Sequence, residues 1–441
     1  MGLRQKLSQY YNEDLRNMCI SIIPPNQKVL QIGLRYGEFI TALKTSDALG
    51  IDEDQKSTDF RFLQSKPEDI ELSEKFEYVI FSSLGYSEDI YLAFKNLKKV
   101  CNEDTRIIVY YHNYFWEPIL KLAGKIGLKE IQPIQNWLSA DDIEDFLKAV
   151  DIEIIKQGER FLLPVYIPLI STFLNKYVAR VPFLRAFALT KYVVARVRPN
   201  KTKSVSVSVI IPARDERDNI ELAVQRMPKL GKHTEIIFAE GNSKDGTREE
   251  IQRVIKKYKR KDIKLLVQSG KGKWNAVSEA FDIAKNDLLI ICDADLTTPP
   301  EDLTKFYDVY SEGIGEFVNG TRLVYQMEKQ AMPFKNLIVN KFFSIVFSWI
   351  LNQKLTDTLC GTKVISKDNY NRMKEMNIFD PTDKFGDFNL IFGAAKLNLK
   401  FIEIPVRYKE RGYGETKISS FGSGWTLLKS SIRGMKKVKF V

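Results

Sequence analysis

At 441 residues, 44% hydrophobic and 28% charged, the chain is long enough for two or three domains that each bury a core. A net charge of +11 and a pI near 9.1 favour anionic partners such as nucleotides and phospholipid headgroups; without a zinc-finger, RNP-type or helix-turn-helix pattern, nucleic acid is not an expected partner. Four dispersed cysteines with no CxxC pair read as reduced core residues, and only two histidines, His112 and His233, exclude a His-rich metal site.

Taken in order, the chain opens without a signal peptide, because Gln5, Asn12, Glu13 and Asp14 interrupt any apolar core. That predicts a cytoplasmic protein. Residues 1–158 form a first unit. Residues 28–39 read as strand, glycine-bearing turn and helix; residues 48–54 are a strand ending in acids; residues 76–83 and 105–111 are further strands separated by helical patterns. Such alternation predicts an open parallel sheet, with any ligand beyond the carboxyl ends of its strands, near Gly33 and Asp52.

Residues 159–203 change character. The run 161–174 is strongly apolar but too short, and twice broken by proline, to span a bilayer. Residues 178–197 then mix Val, Leu, Phe and Ala with Arg180, Arg185, Lys191 and Arg196 and contain no acid. Two readings stand: a helix lying in a membrane interface, or a connector packed between domains.

From Ser204 a second strand-helix series begins. Residues 205–212 form a strand ending at Pro212; residues 235–247 repeat the design with Glu240 at the strand tip and Asp245-Gly in the turn, and a helix follows over 248–258. A short strand over 264–267 leads into the basic loop Gly270-Lys-Gly-Lys273 and a helix over 275–285. Then four apolar residues, 288–291, run into Asp293 and Asp295 before Pro299 and Pro300 start a new element. Two carboxylates one residue apart at the mouth of a buried strand suit Mg²⁺ or Mn²⁺, whose remaining ligands a diphosphate supplies. Acidic tips, a basic glycine loop and a helix start therefore converge on one sheet edge, a nucleotide-diphosphate pocket. Residues 337–351 are apolar nearly all round, which predicts a core helix, with an interfacial one as the alternative. The basic tail from Ser430 either lies on anionic lipid or is a solvated end.

Two resemblances sharpen this reading. The segment Val29-Leu-Gln-Ile-Gly-Leu-Arg-Tyr-Gly37, followed by Asp52 at a strand end, resembles class I S-adenosylmethionine-dependent methyltransferases, and implies cofactor contacts at Gly33, Gly37 and Asp52. Gln31 departs from the Asp usual in that family, and Leu34, Arg35 and Tyr36 replace small residues. Residues 204–418 resemble a family 2 glycosyltransferase of the GT-A fold, most like dolichyl- or polyprenyl-phosphate sugar synthases. The match rests on Ile211-Pro-Ala-Arg-Asp-Glu-Arg-Asp-Asn219, Glu240, Asp245-Gly-Thr, Asp293-Ala-Asp295, Asn319-Gly-Thr-Arg322 and Glu410-Arg-Gly-Tyr-Gly-Glu-Thr-Lys417. Trp274 and Asn275 depart from its usual Gly and Asp.

What the second resemblance implies is specific. A UDP- or GDP-linked sugar would be held by Pro212, Ala213, Arg214, Glu216, Glu240, Asp245 and Lys273, with the metal on Asp293 and Asp295. A polyprenyl phosphate acceptor would meet Arg322, Lys341, Arg411 and Lys417, with Arg411 acting at the reaction centre. Asp387 would serve as base if the acceptor is a hydroxyl. The expected architecture is two Rossmann-like three-layer α/β domains joined by an amphipathic linker, peripheral on the inner face of the membrane. The first domain either methylates the glycan or serves as a scaffold.

Overall fold

In the computed structural model the chain divides into two α/β units, Met1–Arg198 with Phe440–Val441, and Pro199–Lys439. The structure describes residues 3–440 apart from 35–37, 55–56, 58, 130–134, 201, 260–261, 326–333, 382, 384 and 409–427.

The first unit holds seven strands: β1 Lys28–Ile32, β2 Asp47–Asp52, β3 Arg61–Gln64, β4 Phe76–Phe81, β5 Cys101–His112, β6 Ile152–Arg160 and β7 Thr190–Val197. Their order is β3-β2-β1-β4-β5-β7-β6, parallel except that β7 runs antiparallel to both neighbours. Side-chain alternation gives the sheet two buried faces. Leu30, Ile32, Val79 and Phe81 pack with the helices Ile90–Lys99 and Ala140–Ala149. Val29, Tyr78, Ile80 and Ile108 pack under the helix Leu3–Ile22.

Two expectations fail here. The stretch read as an amphipathic linker is part of this unit: Val178–Arg180 and Leu184–Phe187 are single 3-10 turns, and 190–197 is a strand whose Val193, Val194 and Ala195 are buried. The run over 190–197, β-branched at Thr190, Val193, Val194 and Val197 and with Arg196 neutralised by Glu153 at 2.7 Å, reads as a strand once a sheet is there to receive it. The helix expected after the glycine turn is a single 3-10 turn, Phe39–Ala42, because only four residues separate it from Asp47 at the start of β2.

The second unit repeats the layering with β8 Val207–Ala213, β9 Thr234–Glu240, β10 Ile263–Val267, β11 Leu288–Ile291, β12 Phe317–Thr321, β13 Lys363–Ser366 and β14 Phe401–Pro405, ordered β10-β9-β8-β11-β13-β12-β14. β8 to β11 are mutually parallel and β13 is antiparallel to β11 and β12. One face carries the helices Arg217–Arg226, Thr247–Tyr258 and Leu303–Ser311; the other carries Lys273–Ile283, Phe334–Leu351 and Asp387–Lys396. The helix Phe334–Leu351 is two-faced: Phe343, Phe347 and Ile350 enter the core, while Ile338, Phe342 and Ile345 are exposed. The basic tail is bound to its own unit, with Arg433 2.7 Å from Asp380, Lys437 donating to the Ile378 carbonyl and Lys439 over the Trp349 ring. No helix among the described residues is long and apolar enough to cross a membrane.

Candidate active site

The four residues of β11 are all buried, held between β8 and β13, so the chain delivers Asp293 and Asp295 to the carboxyl edge of the sheet's middle. Asp293 Oδ1 accepts from Lys273 Nζ at 2.6 Å. Burial alone would raise the Asp293 carboxyl, but the Lys273 charge, with Lys363 and Arg322 farther off, holds it below its ordinary value. The same neighbours act in reverse on Lys273: burial opposes its charge, yet Asp293 and Asp387 raise it. Gly361 makes the pairing possible, since a Cβ there would lie 2.0 Å from Asp293 Oδ2. Asp295 Oδ1 accepts from the Thr297 amide at 3.1 Å and hydroxyl at 2.8 Å, which fixes the turn after the strand.

Lys273 is the first residue of its helix, after Gly272 at φ +94°. The two departures noted in this loop are structural. Asn275 accepts from the Gly270 amide at 2.8 Å and donates to Glu279 at 2.7 Å, closing the basic loop. Trp274 is buried edge-on to Phe379, ring centroids 5.0 Å apart.

Beside β11, Pro212 and Ala213 end β8, and Ala213 lies opposite Glu240 at the end of β9. The acids here build the loops. Glu240, fully buried, accepts from the Ser243 amide at 2.6 Å and from Arg248 at 2.7 and 2.9 Å; burial raises its carboxyl, and these donors bring it below its ordinary value. Asp245 accepts from the Thr247 and Arg217 amides, tying two helix starts together. Glu216 is buried and accepts from Asn219 at 2.8 Å, whereas Arg214 is exposed.

On the far side of β11, Arg322 and Asp357 form a buried two-pronged pair, Nε to Oδ2 2.7 Å and Nη2 to Oδ1 2.9 Å. Asn340 donates to the same carboxylate at 2.9 Å, and Tyr408 lies under the guanidinium. Burial opposes both charges, but each partner holds the other ionised: Asp357 is far below the ordinary carboxylate range and Arg322 well above its own. Of the residues expected at the acceptor phosphate, Arg322 is thus already neutralised, Lys341 is exposed on its helix, and Arg411 and Lys417 lie outside the described residues. Asp387 is buried, 2.8 Å from the fully buried Lys363. The start of the helix Asp387–Lys396 is held by Asp383, which accepts from the amides of Phe385, Gly386 and Asn389. Lys363, Asp357 and Gly361 are the residues to which the sequence assigned no individual role.

In the first unit the expected pocket exists. A cavity of about 290 Å³ is lined by Gly33, Asp52, Lys66, Glu68 and Ser83 among others. Gly37 lies outside the described residues. Both Asp52 oxygens are engaged by backbone: Oδ2 accepts from Leu34 N at 2.6 Å and Oδ1 from Asp54 N at 2.9 Å. Gln31, fully buried, accepts from the amides of Phe39 and Ile40 and donates to the Gly33 carbonyl at 3.1 Å. The glycine turn is therefore stapled from below by the residue that departs from the methyltransferase pattern.

Comparison with known proteins agrees with the second unit's geometry. Residues 208–379 match the family model described as Glycosyl transferase family 2, so the second unit contains a domain of that family. The chain is 32% identical over 218 residues to a dolichol-phosphate mannosyltransferase from Pyrococcus furiosus, covering 48% of this chain and 59% of the relative. It is 24% identical over 218 residues to an undecaprenyl-phosphate 4-deoxy-4-formamido-L-arabinose transferase from Edwardsiella ictaluri, covering 48% and 62%. The chain thus spans about three-fifths of these relatives. A SAM-dependent methyltransferase structure from Thermotoga maritima aligns with 43% of this chain and 91% of its own, at 12% identity and a TM-score of 0.34.

Proposed function

We propose that the second unit transfers a sugar, with inversion, from a UDP- or GDP-linked donor to a polyprenyl phosphate at a membrane surface, assisted by a divalent cation. The observation that carries this is the meeting of Asp293, Asp295 and Lys273 at one sheet edge, beside the ends of β8 and β9. The names of both curated relatives, a dolichol-phosphate and an undecaprenyl-phosphate sugar transferase, support the acceptor class.

The donor set fits a hard cation completed by substrate. Among the described residues no third acid, histidine or cysteine joins Asp293 and Asp295, which suits Mg²⁺ or Mn²⁺ bound through one or two carboxylates and phosphate oxygens. When bound, the ion supplies positive charge to the departing diphosphate. Lys273, held at the same spot by Asp293, adds a second cation to that charge. Pro212, Ala213 and exposed Arg214 border the space for the nucleoside, in loops that Glu216, Glu240 and Asp245 hold in shape.

A phosphate acceptor is largely ionised near neutral pH, its second pKa being about 6, and attacks the anomeric carbon without a base. Asp387 favours this acceptor over a hydroxyl, because its Oδ1 is already engaged by the Lys363 ammonium and is poorly placed to take a proton. Arg322, Lys341, Arg411 and Lys417 remain the proposed phosphate contacts, with Arg322 positioned by Asp357. The exposed apolar side of the helix Phe334–Leu351 supports a membrane setting. For the first unit we favour a scaffold over methyl transfer, since Gln31 and Asp52 spend their polar atoms on the glycine turn itself.

The test is transfer from labelled UDP- and GDP-sugars to a polyprenyl phosphate in detergent, with and without Mg²⁺ or Mn²⁺. Metal-dependent lipid product that disappears in Asp295→Asn supports the proposal and names the donor. Donor hydrolysis without lipid product would move the acceptor to a hydroxyl, and absence of nucleotide binding would overturn the reading.

A further inference from the structure

We infer that the first unit carries its own lipid-docking surface, a wedge built from residues 114–126 and 161–187 that enters the headgroup region of an anionic bilayer. Over 161–187 the usual placement of residues is inverted. The polar side chains Ser171, Asn175 and Arg180 are buried, while Leu169 is 86% and Phe183 89% exposed, with Ile170, Phe173 and Phe187 each more than half exposed. In water, that arrangement leaves apolar area uncovered and gains nothing.

The buried polar groups satisfy the segment's own backbone. Asn175 accepts from Leu163 N at 2.8 Å and donates to Leu163 O at 2.9 Å and to the Tyr10 hydroxyl at 3.0 Å. Ser171 Oγ accepts from Ile167 N at 2.7 Å and donates to Val165 O at 2.6 Å. Backbone satisfied from within and apolar side chains turned outward are what a surface entering lipid requires. Leu169 and Phe183 also sit at φ +63° and +72°, a region that large side chains seldom occupy, so their exposure comes at a conformational cost.

A second apolar element abuts the first. The helix Glu117–Lys125 buries no residue, and Ile119, Leu122 and Ile126 share one exposed face. Trp116 Nε1 donates to the Phe187 carbonyl at 2.8 Å, Asn113 donates to the Ala186 carbonyl at 2.7 Å, and the Phe115 and Phe187 rings are 6.4 Å apart. Exposed Tyr114, Tyr166 and Tyr177 give the surface the amphipathic aromatics of a membrane interface. Charge selects the lipid: residues 161–187 contain no carboxylate while Lys176 is exposed among them, and over 114–126 the one acid, Glu117, lies 2.5 Å from Lys121, with Lys125 also exposed, a balance that favours anionic headgroups over zwitterionic ones or an acidic-and-basic protein partner.

The inference takes its purpose from the lipid-linked acceptor proposed above, but its test uses neither donor nor acceptor. The full chain is floated with vesicles of phosphatidylcholine alone and of phosphatidylcholine with phosphatidylglycerol, beside the double variant Leu169→Asn, Phe183→Asn. Asn tolerates positive φ better than Leu or Phe, so the variant should melt no lower than the parent and keep transfer in detergent. We expect flotation with the anionic vesicles, weakened by salt, and a loss of at least about tenfold in partitioning for the variant. Equal flotation of parent and variant would overturn the inference, as would absence of flotation. So would a parent dimer that the variant converts to monomer without either form floating, since a second copy would then be what covers the surface. Loss of transfer in the parent would instead strike the transferase reading and leave the docking result standing.

Discussion

The two sheets end in edges built from similar materials and used in opposite ways. In the first unit Gln31 and Asp52 are held by backbone amides, Gln31 by those of Phe39 and Ile40 and Asp52 by those of Leu34 and Asp54. In the second, Asp293 reaches Lys273 twenty positions away, Asp387 reaches Lys363, and Arg322 reaches Asp357. Polar atoms satisfied by backbone amides make a rigid turn. Charges paired across elements make a site whose partners a charged ligand can redistribute, because an ion pair is exchangeable for another of like charge. What distinguishes a scaffold edge from a reactive one here is whether its polar groups are met by backbone amides or by side-chain charges.

That contrast can be broken in several ways. The largest effect is expected for Asp295→Asn, which should lower transfer by about a thousandfold, while circular dichroism and the urea midpoint stay put. Next, Asp357→Leu strands the Arg322 guanidinium in a buried position and should cost about 3–5 kcal/mol of unfolding free energy, read by denaturant titration; retention of full stability would show that the pair is not structural. Gly361→Ala places a methyl where Asp293 Oδ2 lies and should reduce transfer about a hundredfold with little change in donor affinity, separable as kcat against KM. In the first unit, Gln31→Leu leaves the Phe39 and Ile40 amides without their acceptor and should destabilise by about 1–3 kcal/mol, yet leave transfer in detergent unchanged; loss of transfer there would deny the scaffold reading.

The mildest prediction concerns acid. His112 sits with its ring 5.9 Å from Tyr11 and 6.4 Å from Trp137, and burial, helped by the Lys129 charge, lowers its pKa to about 3. Folded protein therefore keeps it neutral while unfolded chain protonates it near 6.5. Its contribution to stability is complete above about pH 6.5 and declines as pH falls from there toward 3. A melting-temperature profile should fall over that window, and His112→Phe should flatten it.

Much of this was legible in the sequence. The strand-tip acids, the basic glycine loop and the aspartate pair are local patterns, and the structure brings them to one edge because parallel strands must present their carboxyl ends together. Asp357 and Lys363 were not legible, since their roles depend on partners 35 and 24 residues away across a non-local fold. The strand at 190–197 was missed for a different reason. Its cations suggest a surface, and the sheet's own acid at Glu153 helps make burial of Arg196 tolerable. Trp274 and Asn275, read as departures in a ligand loop, prove to be the loop's packing and closure.

The late insertion of β7 between β5 and β6 bears on how the protein is made. β6 pairs with no strand but β7 among the described residues, and β5 pairs with β7 along its far side. As the chain leaves the ribosome, β6 emerges some forty residues before the strand that ties it to the sheet, and the apolar stretch 161–187 emerges between them. During that interval an open strand edge and an uncovered apolar segment are presented together, the combination most prone to mispairing. A chain ended near residue 189 would stay in that state. Synthesis close to a lipid surface, or a chaperone held until Val197 has emerged, is what would carry the first unit through it.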